Sequence, residues 1–255
     1  MRNGTRSVPR SLLGGIVAAI AFAAVAQAFF APPSRASRLA QQEELLEGRA
    51  LYQQHCASCH GAELAGTDNG PSLTGVGAAS VDFYLSTGRM PLANPGVQPE
   101  RHRPAFAPEQ IRALVAYVVS FGGGGIPIPA VDPASGSLPH GQQVYEANCG
   151  ACHGAAATGD SIGGGQIAPA LDEATALQIA EAIRVGPGAM PRFGETTIDQ
   201  DDLDSVTRYL LELRETGNPG GLGLTRIGPV AEGFVGVVVG LGLLLIVIRL
   251  AGTKT

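Results

Sequence analysis

The pentapeptide Cys56-Ala57-Ser58-Cys59-His60 returns as Cys149-Gly150-Ala151-Cys152-His153, and it carries its surroundings with it. Gly48, Tyr52 and Gly61 recur at Gly141, Tyr145 and Gly154, all at a spacing of 93 residues. Pro71-Ser72-Leu73 answers Pro169-Ala170-Leu171 at a spacing of 98, and Met90-Pro91 answers Met190-Pro191 at 100, so the second copy gains a few loop residues. A repeat of this kind makes two equivalent units the starting expectation. Gly122 to Gly125, Ile126-Pro127-Ile128-Pro129 and Asp132-Pro133 read as the linker between them. The units are placed at 41–124 and 136–218, with the linker at 125–135.

Each unit reads as helices joined by loops. Leu46, Ala50, Leu51 and Gln54 fall at helical spacing before the first Cys motif. Pro108 opens a helix whose Ile111, Leu114, Val115 and Val118 form one stripe, and Gly122 closes it. In the second unit Asp199 is the cap of a helix with Leu203, Val206, Leu210 and Leu213 on one face. No alternating strand pattern stands out, and the expected class is all-α. With 5% aromatic residues, no Trp, 36 Gly and 18 Pro, the side chains make a thin core, so something besides side chains is expected to fill each unit.

All four cysteines lie in the two Cys-x-x-Cys-His motifs, the attachment signature of c-type haem. On one helical turn, the thiols of Cys56 and Cys59, and of Cys149 and Cys152, reach the two vinyl groups of a porphyrin. The adjacent imidazole, His60 or His153, then stands over the iron. Two Cys and one His per unit leave a zinc site incomplete. A redox Cys pair calls for a βαβ unit, and a disulfide leaves the trailing His without a purpose. Beyond the start residue the chain has two Met, one per unit, each in a Gly-rich loop before Pro. Met usually fills core gaps, but this pairing makes Met90 and Met190 the expected sixth ligands. His/Met ligation closes the iron and raises its potential, which suits electron transfer. The carbonyls of Pro71 and Pro169 are candidate acceptors for the second N–H of His60 and His153, with ordinary turn prolines as the other reading. His55, His102 and His140 are read as surface residues.

Charge excludes nucleic acid as a partner: between 41 and 218 there are 9 Arg, no Lys and 21 acidic residues. The second unit is the more acidic, with Asp199, Asp201, Asp202 and Asp204 clustered. That cluster reads either as a patch that steers a basic partner or as helix capping.

The ends of the chain point to a membrane. Arg2, Arg6 and Arg10 precede an apolar run over 11–31, with Ala26-Gln27-Ala28 as a cleavage site, so residues 1–31 are a signal peptide or an anchor. The run 227–250 is expected to span the bilayer as a helix, with Gly236 and Gly240 on one face. Arg249 and Lys254 place the C-terminus in the cytoplasm and the two units outside it.

These residues resemble a family: the dihaem cytochrome c subunit of the actinobacterial menaquinol–cytochrome c reductase, or bcc complex. The likeness rests on Cys56 to Ala62, Gly70-Pro71-Ser72-Leu73-Thr74-Gly75, Ser86-Thr87-Gly88-Arg89-Met90-Pro91, the second Cys motif, Met190-Pro191, and Pro219-Gly220-Gly221 before the terminal span. It implies two class I cytochrome c-like domains, each around a covalent haem c. It also implies a cytochrome b subunit, a Rieske iron–sulfur protein and the copper-bearing subunit of cytochrome c oxidase as partners. His60 and Met90 would then serve the receiving haem, and His153 and Met190 the delivering one. The chain would be the electron-transfer part of a proton-translocating oxidoreductase, without the quinol site. Two other readings are a dihaem carrier docked to a periplasmic dehydrogenase, and a dihaem peroxidase, which needs an open iron.

Overall fold

The computed structural model describes residues 34–94, 98–215 and 233–252. The signal or anchor reading of 1–31 lies outside them, as does the start of the terminal span. Lobe one contains α1 (Arg35–His55), α2 (Ala57–His60), α3 (Ala78–Ser86) and α4 (Pro108–Val119); lobe two contains α5 (Leu138–Asn148), α6 (Gly150–His153), α7 (Ala176–Val185) and α8 (Gln200–Glu215). A π-helical turn, Val235–Gly240, runs into α9 (Leu241–Gly252).

In both lobes the helix before the Cys motif crosses the last helix of the lobe, α1 on α4 and α5 on α8. A glycine permits each crossing. A Cβ on Gly48 would stand 2.0 Å from the Ala113 carbonyl oxygen, and one on Gly141 would stand 2.0 Å from that of Ser205. Next to each crossing a tyrosine is buried, Tyr52 against Tyr117 and Tyr145 against Tyr209. The apolar cores grow from these crossings: Leu64, Leu85, Ile111, Leu114 and Val118 in lobe one, Val144, Ile179, Ile183, Leu203, Val206 and Leu210 in lobe two.

The helical spacing read before the first Cys motif picked the wrong face. Leu46 is 60% exposed, Ala50 and Gln54 are exposed, and Leu51 is half-buried. The buried residues of α1 are Gly48 and Tyr52, because close approach to α4, not side-chain hydrophobicity, decides which face turns in. The terminal helices follow the expected stripes, and Asp199 caps α8: its Oδ1 accepts from Asp202 N at 2.9 Å, while Asp202 Oδ2 accepts from Asp199 N at 3.2 Å.

Lobe two also holds a small antiparallel hairpin, β1 (Asp160–Gly163) with β2 (Gln166–Ala168). The all-α expectation is corrected to mostly helical. Strands of four and three residues are too short to show alternation, and the turn rests on Gly163, Gly164 and Gly165, all at positive φ.

Val235–Gly252 is 18 residues long with a mean hydropathy of 2.5 and no buried residue. Among the described residues it is the one helix long and apolar enough to cross a membrane. An apolar helix with no protein face against it is stable where its surroundings are lipid.

Candidate functional site

The Cys motif of each lobe is a second, shorter helix at the end of the first. Cys56 N donates to Tyr52 O at 2.8 Å and His60 N to Cys56 O at 2.9 Å; Cys149 N and His153 N repeat both bonds at 2.8 and 2.9 Å. Gly61 and Gly154, at φ 78° and 76°, stop the turn. The buried tyrosine then ties the motif down: Tyr52 Oη donates to Gly61 O at 2.7 Å and Tyr145 Oη to Gly154 O at 2.6 Å. Burial, with Cys56 and Tyr117 nearby, pushes the Tyr52 phenol up to about 12, so it stays a neutral donor.

The two histidines are set alike. His60 Nδ1 lies 2.8 Å from the Pro71 carbonyl oxygen, and His153 Nδ1 lies 2.9 Å from that of Pro169. A carbonyl only accepts, so Nδ1 carries the proton and Nε2 keeps its lone pair for a metal. Met90 and Cys56 pack on the core of lobe one, and Met190 and Cys149 on that of lobe two. Each lobe therefore brings one Cys and its Met to the same apolar cluster, with its His four residues beyond that Cys. This donor set, two thiols, an imidazole with a directed lone pair and a thioether around an apolar core, fits haem c.

The thiols do not fit the rival chemistries. Burial first, then the neighbouring cysteine, pushes Cys56 and Cys149 up to about 11, whereas a redox-active pair works through a lowered thiol. Among the described residues no three of His, Cys, Asp or Glu gather as a metal site.

The remaining candidates fall outside these centres. His55 stacks edge-on against Phe106 at 5.3 Å, His102 is exposed, and His140 pairs with Asp202 at 2.7 Å. The acidic cluster is mostly spent on local structure. Asp199 and Asp202 cap α8, while Asp204, 7% exposed, accepts from Asp132 N at 2.8 Å and from Gln200 Nε2. Capping accounts for two of its four members, and bonds to Asp132 and Gln200 engage a third.

Over 98% of this chain and 96% of its own length, the cytochrome bc1 complex cytochrome c subunit of Corynebacterium diphtheriae is 30% identical to it. The chain belongs to that family, the cytochrome c subunits of the cytochrome bc1 complex. The Mycobacterium tuberculosis subunit is 34% identical over 94% of this chain and 91% of its own, and the Mycobacterium leprae subunit 36% identical over 79% and 74%. Family profiles also match each lobe of this bc1-type subunit: "Cytochrome c" over 45–122 and "Cytochrome C oxidase, cbb3-type, subunit III" over 136–210. The subunit thus has two cytochrome c domains and is a haem c protein.

Sequence reasoning did not anticipate how the subunit's two lobes meet. Helix α3 packs on α7, and Gln178 Nε2 donates to Ser86 O at 3.1 Å. The segment Gln98 to Arg101, which lobe two lacks, reaches across: Arg101 donates to Glu173 O at 2.8 Å and to Gln178 Oε1 at 3.0 Å, and pairs with the Glu173 carboxylate at 3.3 Å. Gln98 bonds both backbone groups of Ile167. A basic loop confined to lobe one, facing the more acidic lobe, was the available signal.

Proposed function

We propose that this chain is the electron-transfer subunit of a respiratory quinol–cytochrome c reductase, taking electrons from a Rieske iron–sulfur protein and handing them to cytochrome c oxidase. The observation that carries it is the doubled Cys-His-Met scaffold on a chain that ends in an exposed apolar helix and belongs to the bc1-type subunit family. Cys56 and Cys59 would attach one haem c, with His60 and Met90 as its axial ligands; Cys149, Cys152, His153 and Met190 would do the same in lobe two. Haem c held this way supplies reversible one-electron storage at a raised potential.

The protein's own contribution is positional. The Pro71 and Pro169 carbonyls fix each imidazole tautomer, and Tyr52 and Tyr145 hold the motif turn to its lobe. The seam of α3 and α7 joins the helices that lead into the Met90 and Met190 loops, and so sets the separation of the two centres. The terminal helix anchors the chain, with both lobes on the extracytoplasmic side and the C-terminus in the cytoplasm, a topology that Arg249 and Lys254 support.

Purification through this chain in mild detergent, with proteomics and visible spectra of the same sample, tests the reading. Cytochrome b, a Rieske protein and oxidase subunits are expected, with haem b and haem c bands. Recovery of the chain alone, or with a periplasmic dehydrogenase only, overturns it.

A further inference from the structure

Helices α3 and α7 occupy corresponding places in the repeat and pack on each other, and each brings one carboxyl, Asp82 and Glu181, toward the other. Glu181 is 0% exposed, and no N–H or hydroxyl reaches either of its buried oxygens, which leaves the Asp82 carboxyl as their polar neighbour. Two carboxylates there would repel each other, and the buried Glu181 would also forfeit its hydration with no donor to replace it. Burial first, then the charge of Asp82, pushes Glu181 up to about 9. Burial also raises Asp82, and its bond with Glu181 pulls it back.

The other charged groups around the pair do not reach Glu181. On α7 itself, Arg184 donates to the carbonyls of Phe193, Ile198 and Asp199. On α8, Arg208 and Arg214 donate to the Gly136 and Ala174 carbonyls, and Asp204 is closed in by Asp132 N and Gln200. Beside α3, Arg89 lies over the Phe83 ring at 4.9 Å with its Nη1 buried and unpartnered, and no contact joins it to Glu181; Arg101 is held by Glu173, and Glu109 and Arg112 of α4 are exposed. Asp82 is the charge that acts on Glu181.

We infer that Asp82 and Glu181 form a proton-bridged clasp: one solvent-derived proton, shared between the two carboxyls, docks lobe two on lobe one and makes them positioning residues for transfer between the lobes. Loss of that proton leaves two like charges in the seam and loosens the docking. The inference rests on the two-lobe relay proposed above, since it assigns the seam a part in it.

The experiment uses the full-length holoprotein in detergent, with nitroxide-bearing non-natural residues at the exposed positions Arg112 and Asp201, one per lobe. Pulsed electron paramagnetic resonance reads the distance distribution between about pH 6 and pH 10, alongside the rate of electron exchange between the lobes. A narrow distribution is expected at neutral pH, broadening as pH passes about 9, with a parallel fall in the exchange rate. Glu181→Gln, which keeps the shape of the protonated acid, should stay narrow and fast across the range, and Asp82→Asn should do likewise. A wild-type distribution that stays narrow to pH 10 overturns the clasp, as does a Glu181→Gln protein that broadens where the wild type does. A haem assay on the same sample separates the two ideas: fewer than two haems per chain removes the relay, while the distance data still decide the clasp.

Discussion

Gly48 lies against Ala113 so closely that a methyl group in its place would meet the Ala113 carbonyl oxygen at 2.0 Å. Gly141 stands in the same relation to Ser205. Since the obstacle is backbone, the helices themselves must part. Gly48→Ala and Gly141→Ala are each expected to cost about 3 kcal/mol or more, at the upper end of overpacking penalties, read as a lowered midpoint in denaturant unfolding of the holoprotein.

Tyr145 Oη is a buried donor to the Gly154 carbonyl. Tyr145→Phe keeps the ring and strands the acceptor, so a loss of about 1–2 kcal/mol is expected. Tyr52→Phe should match it in lobe one. A double-mutant comparison with Gly154→Ala is a poor check because of the positive φ there, so equilibrium unfolding of the single variants is the measurement.

Met190→His should lower the reduction potential of lobe two by a sizeable part of the roughly 0.8 V that axial ligands span. Potentiometric titration of the two centres checks it, with lobe one unmoved.

The stability of the protein should fall as pH climbs. An unfolded Glu181 titrates near its ordinary value of 4.5, whereas the folded one holds its proton to about 9. Between those values the unfolded chain binds fewer protons, so the folded state loses ground throughout the window, by an amount on the order of a few kcal/mol. Glu181→Gln should flatten that slope. Denaturant unfolding at pH 5, 7 and 9 reads it out, and an unchanged slope in the variant would count against a buried, protonated Glu181.

Asp201 and Asp204 separate an exposed from a structural member of the acidic cluster. Asp204→Ala removes the acceptor of Asp132 N and should cost about 1–3 kcal/mol, while exposed Asp201→Asn should stay within about 0.5 kcal/mol. Thermal unfolding distinguishes them.

Much of this architecture is legible from residues alone, because the Cys-x-x-Cys-His motif recurs at a fixed spacing with its surroundings. Cys, Cys and His share one short helix in each lobe, so the motif announces both lobes, and Pro71 and Pro169 stand where an imidazole needs an acceptor. The stripes Ile111 to Val118 and Leu203 to Leu210 read correctly because each faces a single core. Leu46 misled because apolar spacing cannot reveal that Gly48 sets the face of α1. The hairpin hid in its shortness. Asp82, Glu181 and Arg101 were illegible as partners because contacts between lobes have no local period, and their meaning depends on how the two copies meet.

The matched frames of the two lobes bear on how such a chain could carry current. Tyrosine, glycine, histidine and proline are set within 0.1 Å of one another in their bonds across the copies. Two sockets cut from one pattern, if they act in series as proposed, gain no slope from these bonds; His153 is buried where His60 is half-buried. Any voltage drop along the chain is then left to what surrounds the sockets, the deeper burial of the second imidazole and the denser acidity of the second lobe.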